Sequence, residues 1–256
     1  MTLRSRVYDR GVILYKYLPL ERIDILRTGQ IMFTRPLAFK DLFDGVPSFE
    51  YLWEPGFHPN QTGFHVEIIR GLHQWWYRDA DQNAITRSVV VLPLSERRDS
   101  ILMWAHYARA HTGFAIGFDS EHDWFRRDAE RGLVQVSYTN VRPHRRVLSE
   151  FTPEQMIATK SEQWSYEQEW RLIDSTAAAC GPPPSSSPHS FPFILKPLAV
   201  KEVVIGRRTP RSTHAHLRRL IAHAPFTHVQ LFEADVHPRH FELEFHKIKV
   251  LRRRPR

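Results

Sequence analysis

Short runs of apolar, β-branched and aromatic residues recur along the whole chain, and they restrict it to a fold built on a sheet. Residues 12–18, 31–34, 88–94, 114–118, 133–138, 169–173, 200–205, 228–233 and 241–250 read as strands. Helical spacing alternates with them. Leu20, Ile23 and Leu26 lie on one face of a helix over 19–27, which Gly29 stops. Further helices are expected over 64–77, 100–109 and 211–223. Another opens at Thr152-Pro153-Glu154-Gln155, where a capping hydroxyl precedes a proline in the first turn. This order implies a single α+β domain over 1–250, with a mostly antiparallel sheet, whole or split, and flanking helices. Residues 177–190, with three consecutive prolines and three consecutive serines, are expected to form a mobile surface loop inside it. Residues 251–256 are expected to be a basic tail.

With 256 residues, 42% hydrophobic and 25% charged, the chain can bury roughly three quarters of its unfolded surface. Disorder, collagen-like repetition and a disulfide scaffold are thereby excluded as overall descriptions. The single cysteine, Cys180, has no partner for an intramolecular disulfide, which fits a reducing compartment. The longest apolar stretches, such as 89–94, are too short to span a bilayer. Arg4, Arg6 and Arg10 precede only a brief apolar run containing Lys16, so no signal peptide is read. The cytoplasm is the expected location.

Lys and Arg number 36 against 28 Asp and Glu, a net charge of +8. Such a balance attracts polyanions, nucleic acid foremost, and equally suits a small polyphosphate such as NAD. Basic residues cluster at Arg142, His144, Arg145 and Arg146, at Arg207, Arg208 and Arg211, and from Lys247 to Arg256. Trp75, Trp76 and Tyr77 between Arg70 and Arg78 could stack bases, or belong to the core.

Generic enzyme motifs are missing: no phosphate-binding glycine loop, no Gly-x-Ser-x-Gly elbow, no Cys-x-x-Cys. The fifteen histidines lack zinc-ligand spacing, so no metal is expected. Three stretches are richer than a plain fold requires. Tyr15-Lys16-Tyr17 leads through the first helix to Arg35, with Phe39-Lys40-Asp41-Leu42-Phe43-Asp44-Gly45 beyond it. Met103-Trp104-Ala105-His106-Tyr107 runs through His111-Thr112-Gly113 into a strand. Trp164-Ser165-Tyr166-Glu167-Gln168-Glu169-Trp170-Arg171 is the third. On a strand, Glu167, Glu169 and Arg171 share one face and Trp170 and Leu172 the other. That face is either ion-paired and solvated, or a carboxylate pair held rigidly beside a cation. Such a carboxylate can stabilise a sugar oxocarbenium ion or orient a ribose hydroxyl.

These three stretches resemble the bacterial family known as domain of unknown function 2971, with its Tyr-Lys-Tyr, Met-Trp-x-His-Tyr, His-x-Gly and Trp-x-x-Glu-x-Glu-Trp-Arg motifs. The likeness runs to about Gly206. The first loop departs from the family's Asn-Asp-Pro-Phe-Asp, reading Lys40-Asp41-Leu42-Phe43-Asp44 here. More remotely, the layout resembles ADP-ribosyltransferases, in particular those that modify DNA and RNA. That resemblance implies an ADP-ribosyltransferase-like fold and NAD as co-substrate. It implies Glu169 as the oxocarbenium-stabilising carboxylate, Glu167 as the accessory that activates the acceptor, and Tyr107 as the aromatic stacking on nicotinamide. Lys16 or Tyr17 would take the ribose-holding place on the first strand, where the family's histidine or arginine is absent. Tyr15, Arg35, Asp44, Trp104 and Arg171 complete the expected NAD site, and His106 is a candidate base or hydrogen-bond donor.

Three functions follow as expectations. The first is a transferase that attaches ADP-ribose to a nucleic acid or protein, acting as a toxin or phage-defence effector with an antitoxin or defence-system partner protein. The second is a non-catalytic nucleic-acid-binding module, with Arg207, Arg208 and Arg211 on phosphates. The third is a hydrolase of NAD or another nucleotide that uses the same carboxylates on water.

Overall fold

Along Ile13–Leu18 (β1) the side chains alternate between two buried clusters. Leu14 and Leu18 join one, Tyr15 and Tyr17 the other. A strand buried on both faces must be interior to a sheet, and β1 lies near the middle of one. The computed structural model of the protein describes residues 11–41, 43–44, 48–51, 88–126, 132–147 and 157–250. Its strands continue as β2 (Gln30–Thr34), β3 (Ser48–Tyr51), β4 (Val89–Ser95), β5 (Phe114–Asp119), β6 (Gly132–Gln135) and β7 (Ser137–Thr139). Then come β8 (His144–Val147), β9 (Thr159–Ser161), β10 (Glu169–Ser175), β11 (Ser190–Ile194), β12 (Val200–Ile205), β13 (Gln230–Val236) and β14 (Leu243–Lys247). The α-helices among the described residues are α1 (Asp24–Thr28), α2 (Ile101–Tyr107) and α3 (Arg211–Ile221). No described helix is long and apolar enough to cross a membrane.

Ten strands make one large open sheet in the order β11-β2-β4-β1-β5-β12-β13-β14, with β10 on β4 and β6 on β10. Every pairing in it is antiparallel except β12 with β13. The larger apolar cluster joins Leu14, Ile116, Val203 and Leu231 to Ile25 and Leu26 of α1 and Leu217 and Ile221 of α3. The smaller joins Tyr15, Tyr17, Ala115 and Val204 to Met103 and Trp104 of α2. The mixed α+β class with a mostly antiparallel sheet is as expected from the strand pattern.

Particular boundaries depart from expectation for local reasons. The strand expected over 133–138 breaks at Val136. There the chain changes partner: the Val136 amide donates to Glu169 O at 2.9 Å and the Ser137 amide to Ala158 O at 2.8 Å. The expected 100–109 helix starts on a Ser100 side-chain cap and ends at Tyr107. Beyond it Arg109, Ala110 and His111 take left-handed φ values of 48°, 53° and 68°. The chain then enters β5 at Gly113, where an added Cβ would meet Leu18 O at 2.1 Å, so only glycine fits. Strand β11 follows the Pro/Ser loop and contains Pro192, tolerated because β11 is an edge strand. Within the loop Cys180 N donates to Pro192 O, Ser187 N to Pro184 O and Ser190 N to Ser187 O. The helix expected at 64–77 with Trp75, Trp76 and Tyr77, the Thr152 cap and the tail 251–256 lie outside the described residues.

Candidate functional site

The sheet opens between β1 and β2, beside one edge of β4. That edge touches β2 only at Thr34–Val91 and β1 only at Tyr15–Ser95. Midway between these two bridges stands Pro93, whose carbonyl accepts the Lys16 ammonium at 3.0 Å. An antiparallel strand residue turns its N and its C=O to the same side. Pro93 therefore points its missing N–H into the opening, where no ladder partner is lost. On the other edge β4 is paired throughout with β10, Arg171 lying opposite Pro93 and Glu169 opposite Ser95. A cavity of about 220 Å³ occupies the opening. Its walls come from Tyr15, Lys16 and Tyr17 of β1, Met103 and Tyr107 of α2, and Phe39, Lys40 and Asp41 after β2. Lys160, Trp164, Glu167, Glu169, Arg171 and Asp44 also line it.

These last residues form a buried charge cluster. Lys160 on β9 places Nζ 2.5 Å from Glu167 Oε2, 3.0 Å from Glu169 Oε2 and 3.7 Å from Asp44 Oδ2. The three carboxylates thus share one counter-ion, the Lys160 ammonium. Arg171 forks onto Asp44 with two bonds of 2.7 Å, and onto Glu169 at 2.8 and 3.1 Å. It also donates to the Ile157 carbonyl and lies 4.9 Å over the Phe39 ring. Lys160 stands 4.9 Å over Trp164. Arg171 is 1% exposed, Glu167 3% and Glu169 4%, so the three are part of the interior. Three acids against two bases leave one negative charge, and Lys16 faces it across the same cavity.

Glu167 and Glu169 do not share a strand face as the sequence suggested. A 3-10 helix over Glu162–Glu167 ends at Gln168, whose φ of 41° is left-handed, and β10 begins only at Glu169. The carboxylates converge because the backbone turns between them. Ser95 pins the turn by donating to Glu167 O at 2.6 Å, while the Gln168 carbonyl accepts from the Glu96 amide at 3.1 Å. Nor is the face solvated.

The two acids are driven in opposite directions. Burial pushes Glu167 above the ordinary carboxylate range, despite opposing pulls from Lys160 and from the Tyr107 hydroxyl, which donates to Oε1 at 2.5 Å. Burial acts on Glu169 in the same sense, but Arg171 and Lys160 outweigh it and hold that carboxyl below its usual range. Tyr107 is raised by burial and by its bond to Glu167. Lys160 is held charged by Glu169, Glu167 and Asp44 against the effect of burial. Lys16 differs: desolvation lowers it to about 8, with Glu169 and Glu167 only partly offsetting.

Of the expected site residues, Glu167, Glu169, Tyr107, Tyr15, Lys16, Tyr17, Asp44 and Arg171 do line this cavity. The Tyr15 and Tyr17 hydroxyls are turned to other partners, Glu202 Oε1 at 2.9 Å and Arg97 O at 2.5 Å. Trp104 is instead core, fully buried against Tyr17 at 5.1 Å, its Nε1 donating to Arg98 O. His106 is exposed on α2 beside Tyr166, outside the cavity wall. Arg35 lies over the Phe191 ring at 4.8 Å, also outside it. Arg207, Arg208 and Arg211 line a separate groove with Arg218 and His214. Sequence reasoning missed Lys160 and Tyr138, whose hydroxyl accepts from the Glu169 amide at 2.8 Å, and named Phe39 without giving it a role. Trp164 opens the third motif but was given no role there.

Residues 103–172 match the model of a family described as a protein of unknown function (DUF2971). The match supports the relationship that the motifs suggested, and it contains Tyr107, Lys160, Glu167, Glu169 and Arg171. Lys16, Asp41 and Asp44 lie before it. No curated protein and no solved structure matches the chain.

Proposed function

We propose that this chain is an NAD-consuming ADP-ribosyltransferase that attaches ADP-ribose to a nucleic acid or a protein. The observation that carries the reading is the pair Glu167 and Glu169, pushed apart in acidity at the wall of one aromatic-lined cavity. Loss of nicotinamide takes the glycosidic electron pair with the leaving ring and leaves positive charge on the ribose. A carboxylate kept ionised in a dry site, Glu169, opposes that charge. A carboxyl whose pKa is raised, Glu167, is suited to exchanging a proton with an incoming acceptor. Phe39, Trp164 and Tyr107 give the cavity an aromatic lining that suits a flat heterocycle.

The cavity size and its free atoms bear on the fit. About 220 Å³ is below the usual range for drug-sized ligands and takes a ring with its sugar, not a whole dinucleotide. The adenylate half of NAD would then extend outward, past Lys40. Asp41 Oδ2 on this wall is buried with no hydrogen-bond partner among the described residues, an acceptor suited to a ribose hydroxyl or a carboxamide N–H. The cytoplasmic setting, the toxin or defence role and a partner protein belong to this proposal as a whole. The groove of Arg207, Arg208, Arg211 and Arg218 would draw a nucleic-acid acceptor, and it alone carries the second reading, a non-catalytic binding module.

The experiment is incubation with NAD labelled on the adenylate, offering single-stranded DNA, RNA and lysate protein, with Glu169→Gln in parallel. Label transferred in a Glu169-dependent manner supports the transferase and names the acceptor class. Label appearing only as free ADP-ribose converts the proposal to the hydrolase. No turnover with tight polyanion binding leaves the binding module.

A further inference from the structure

Lys160 and Arg171 are consumed by the carboxylates around them, whereas Lys16 is not. Its Nζ makes one hydrogen bond, to Pro93 O, and no carboxylate among the described residues lies within ion-pair distance of it. The side chain leaves a strand held rigidly by six register pairs with β5, and it faces the cavity that Glu167 and Tyr107 also line. A half-buried lysine with a carbonyl as its sole partner keeps nitrogen valence to spare.

We propose that Lys16 is an imine-forming nucleophile, acting on the C1 aldehyde of a ring-opened pentose held in this cavity. The inference rests on the sugar-binding part of the reading above and needs no cleavage of NAD. In the step, the amine lone pair attacks C1, the carbonyl pair passes to oxygen, and one proton moves from nitrogen to that oxygen. The proton that Lys16 releases on becoming an amine passes through the Glu167 carboxylate to the carbinolamine hydroxyl, which leaves as water. This leaves a protonated imine on Lys16 and a carboxylate on Glu167. Atoms and charge balance without any oxidant or reductant.

Pro93 O holds one N–H, which keeps the nitrogen at the cavity wall and leaves its lone pair uncommitted. One cavity is thus lined by an amine that gives up its proton more readily than usual and a carboxyl that takes one more readily, the combination carbinolamine dehydration requires. The charged groups acting on Lys16 are Glu169 and Glu167 from the β10 side, which favour the ammonium, and Arg22, which opposes it.

The test uses the full chain with ribose 5-phosphate and cyanoborohydride, which reduces an imine to a stable amine, followed by peptide mass mapping. One adduct on Lys16 is expected, forming faster as pH rises toward about 8 and more slowly beyond it, where the proton needed for dehydration is lost. Lys16→Arg keeps a cation at the strand but forms no imine, and should lose the adduct while circular dichroism stays native. Glu167→Gln should slow trapping by about a hundredfold without moving it to another lysine. Should Lys16→Arg fail to fold, the Glu167→Gln rate and the mapped position still decide. Adducts scattered over exposed lysines such as Lys201, or none at all, would overturn the proposal. Trapping at Lys16 without any nicotinamide release from NAD would uphold it and remove the transferase reading.

Discussion

Arg171 is the residue on which the site depends most. Its guanidinium meets Asp44, 127 positions earlier, and Glu169, two positions earlier on its own strand. Removing one partner of a buried ion cluster leaves the others uncompensated, so Arg171→Met should cost about 3–5 kcal/mol in urea unfolding at neutral pH. The pH dependence gives a second readout. A carboxyl held below its unfolded value, as Glu169 is, contributes stability that is complete above the ordinary glutamate range. That stability is lost as pH falls through the folded value. In Arg171→Met burial acts on Glu169 without that cation, which moves the carboxyl upward. The gap between wild type and variant should therefore narrow below about pH 4.5. A gap that stays constant with pH would mean that Arg171 acts through packing alone. The pairing of Arg171 with Glu169 was legible because two residues on one strand fix their own distance. The part played by Lys160 was not, because its strand is three residues long and carries no motif of its own.

At the scale of the element, the decisive joint is Gln168. The run from Trp164 to Arg171 reads as strand alternation, but a 3-10 helix precedes the strand and a single left-handed residue connects them. Alternation by two and a turn of three place the same residue types nearby, so sequence pattern alone does not separate them. The left-handed conformation costs about 1–2 kcal/mol for a residue with a side chain, more for a β-branched one. Gln168→Gly should be neutral or stabilising by up to about 1 kcal/mol, whereas Gln168→Val should destabilise by about 1–2 kcal/mol. Chemical denaturation measures both, and equal effects from the two would contradict the left-handed joint. The central strands were far more legible. Residues 200–205 form β12 over the same span because Val200, Val203, Val204 and Ile205 are buried on both faces of the sheet. Edge pieces such as β11 were hidden by Pro192, and β9 by its brevity.

Across the whole molecule, charge is segregated. The acids of the site are gathered at the cavity, while no Asp or Glu occurs between Glu202 and Glu233 and α3 carries Arg211, Arg218 and Arg219. Helix α2 contributes Met103 and Tyr107 to the cavity wall, and Ile101 to a groove shared with Arg207 and Arg208. A polyanion bound along this face would show a steep fall of affinity with salt. Arg211→Ala should reduce the slope of log affinity against log salt by about 1, as should Arg218→Ala. Arg207→Ala should change it less, because Arg207 is paired with Asp235 at 2.6 Å. Fluorescence anisotropy with single-stranded oligonucleotides checks this, and a slope untouched by either substitution would move the contact surface elsewhere. The proposed transferase depends on the carboxylate pair driving loss of nicotinamide from NAD. Its most direct test is the rate of nicotinamide release at neutral pH by wild type and by Glu169→Gln, with folding confirmed by urea unfolding. Release by wild type is expected, with a fall of about a hundredfold or more in the variant. Equal release by both proteins, or none by a folded wild type supplied with acceptor, would contradict it.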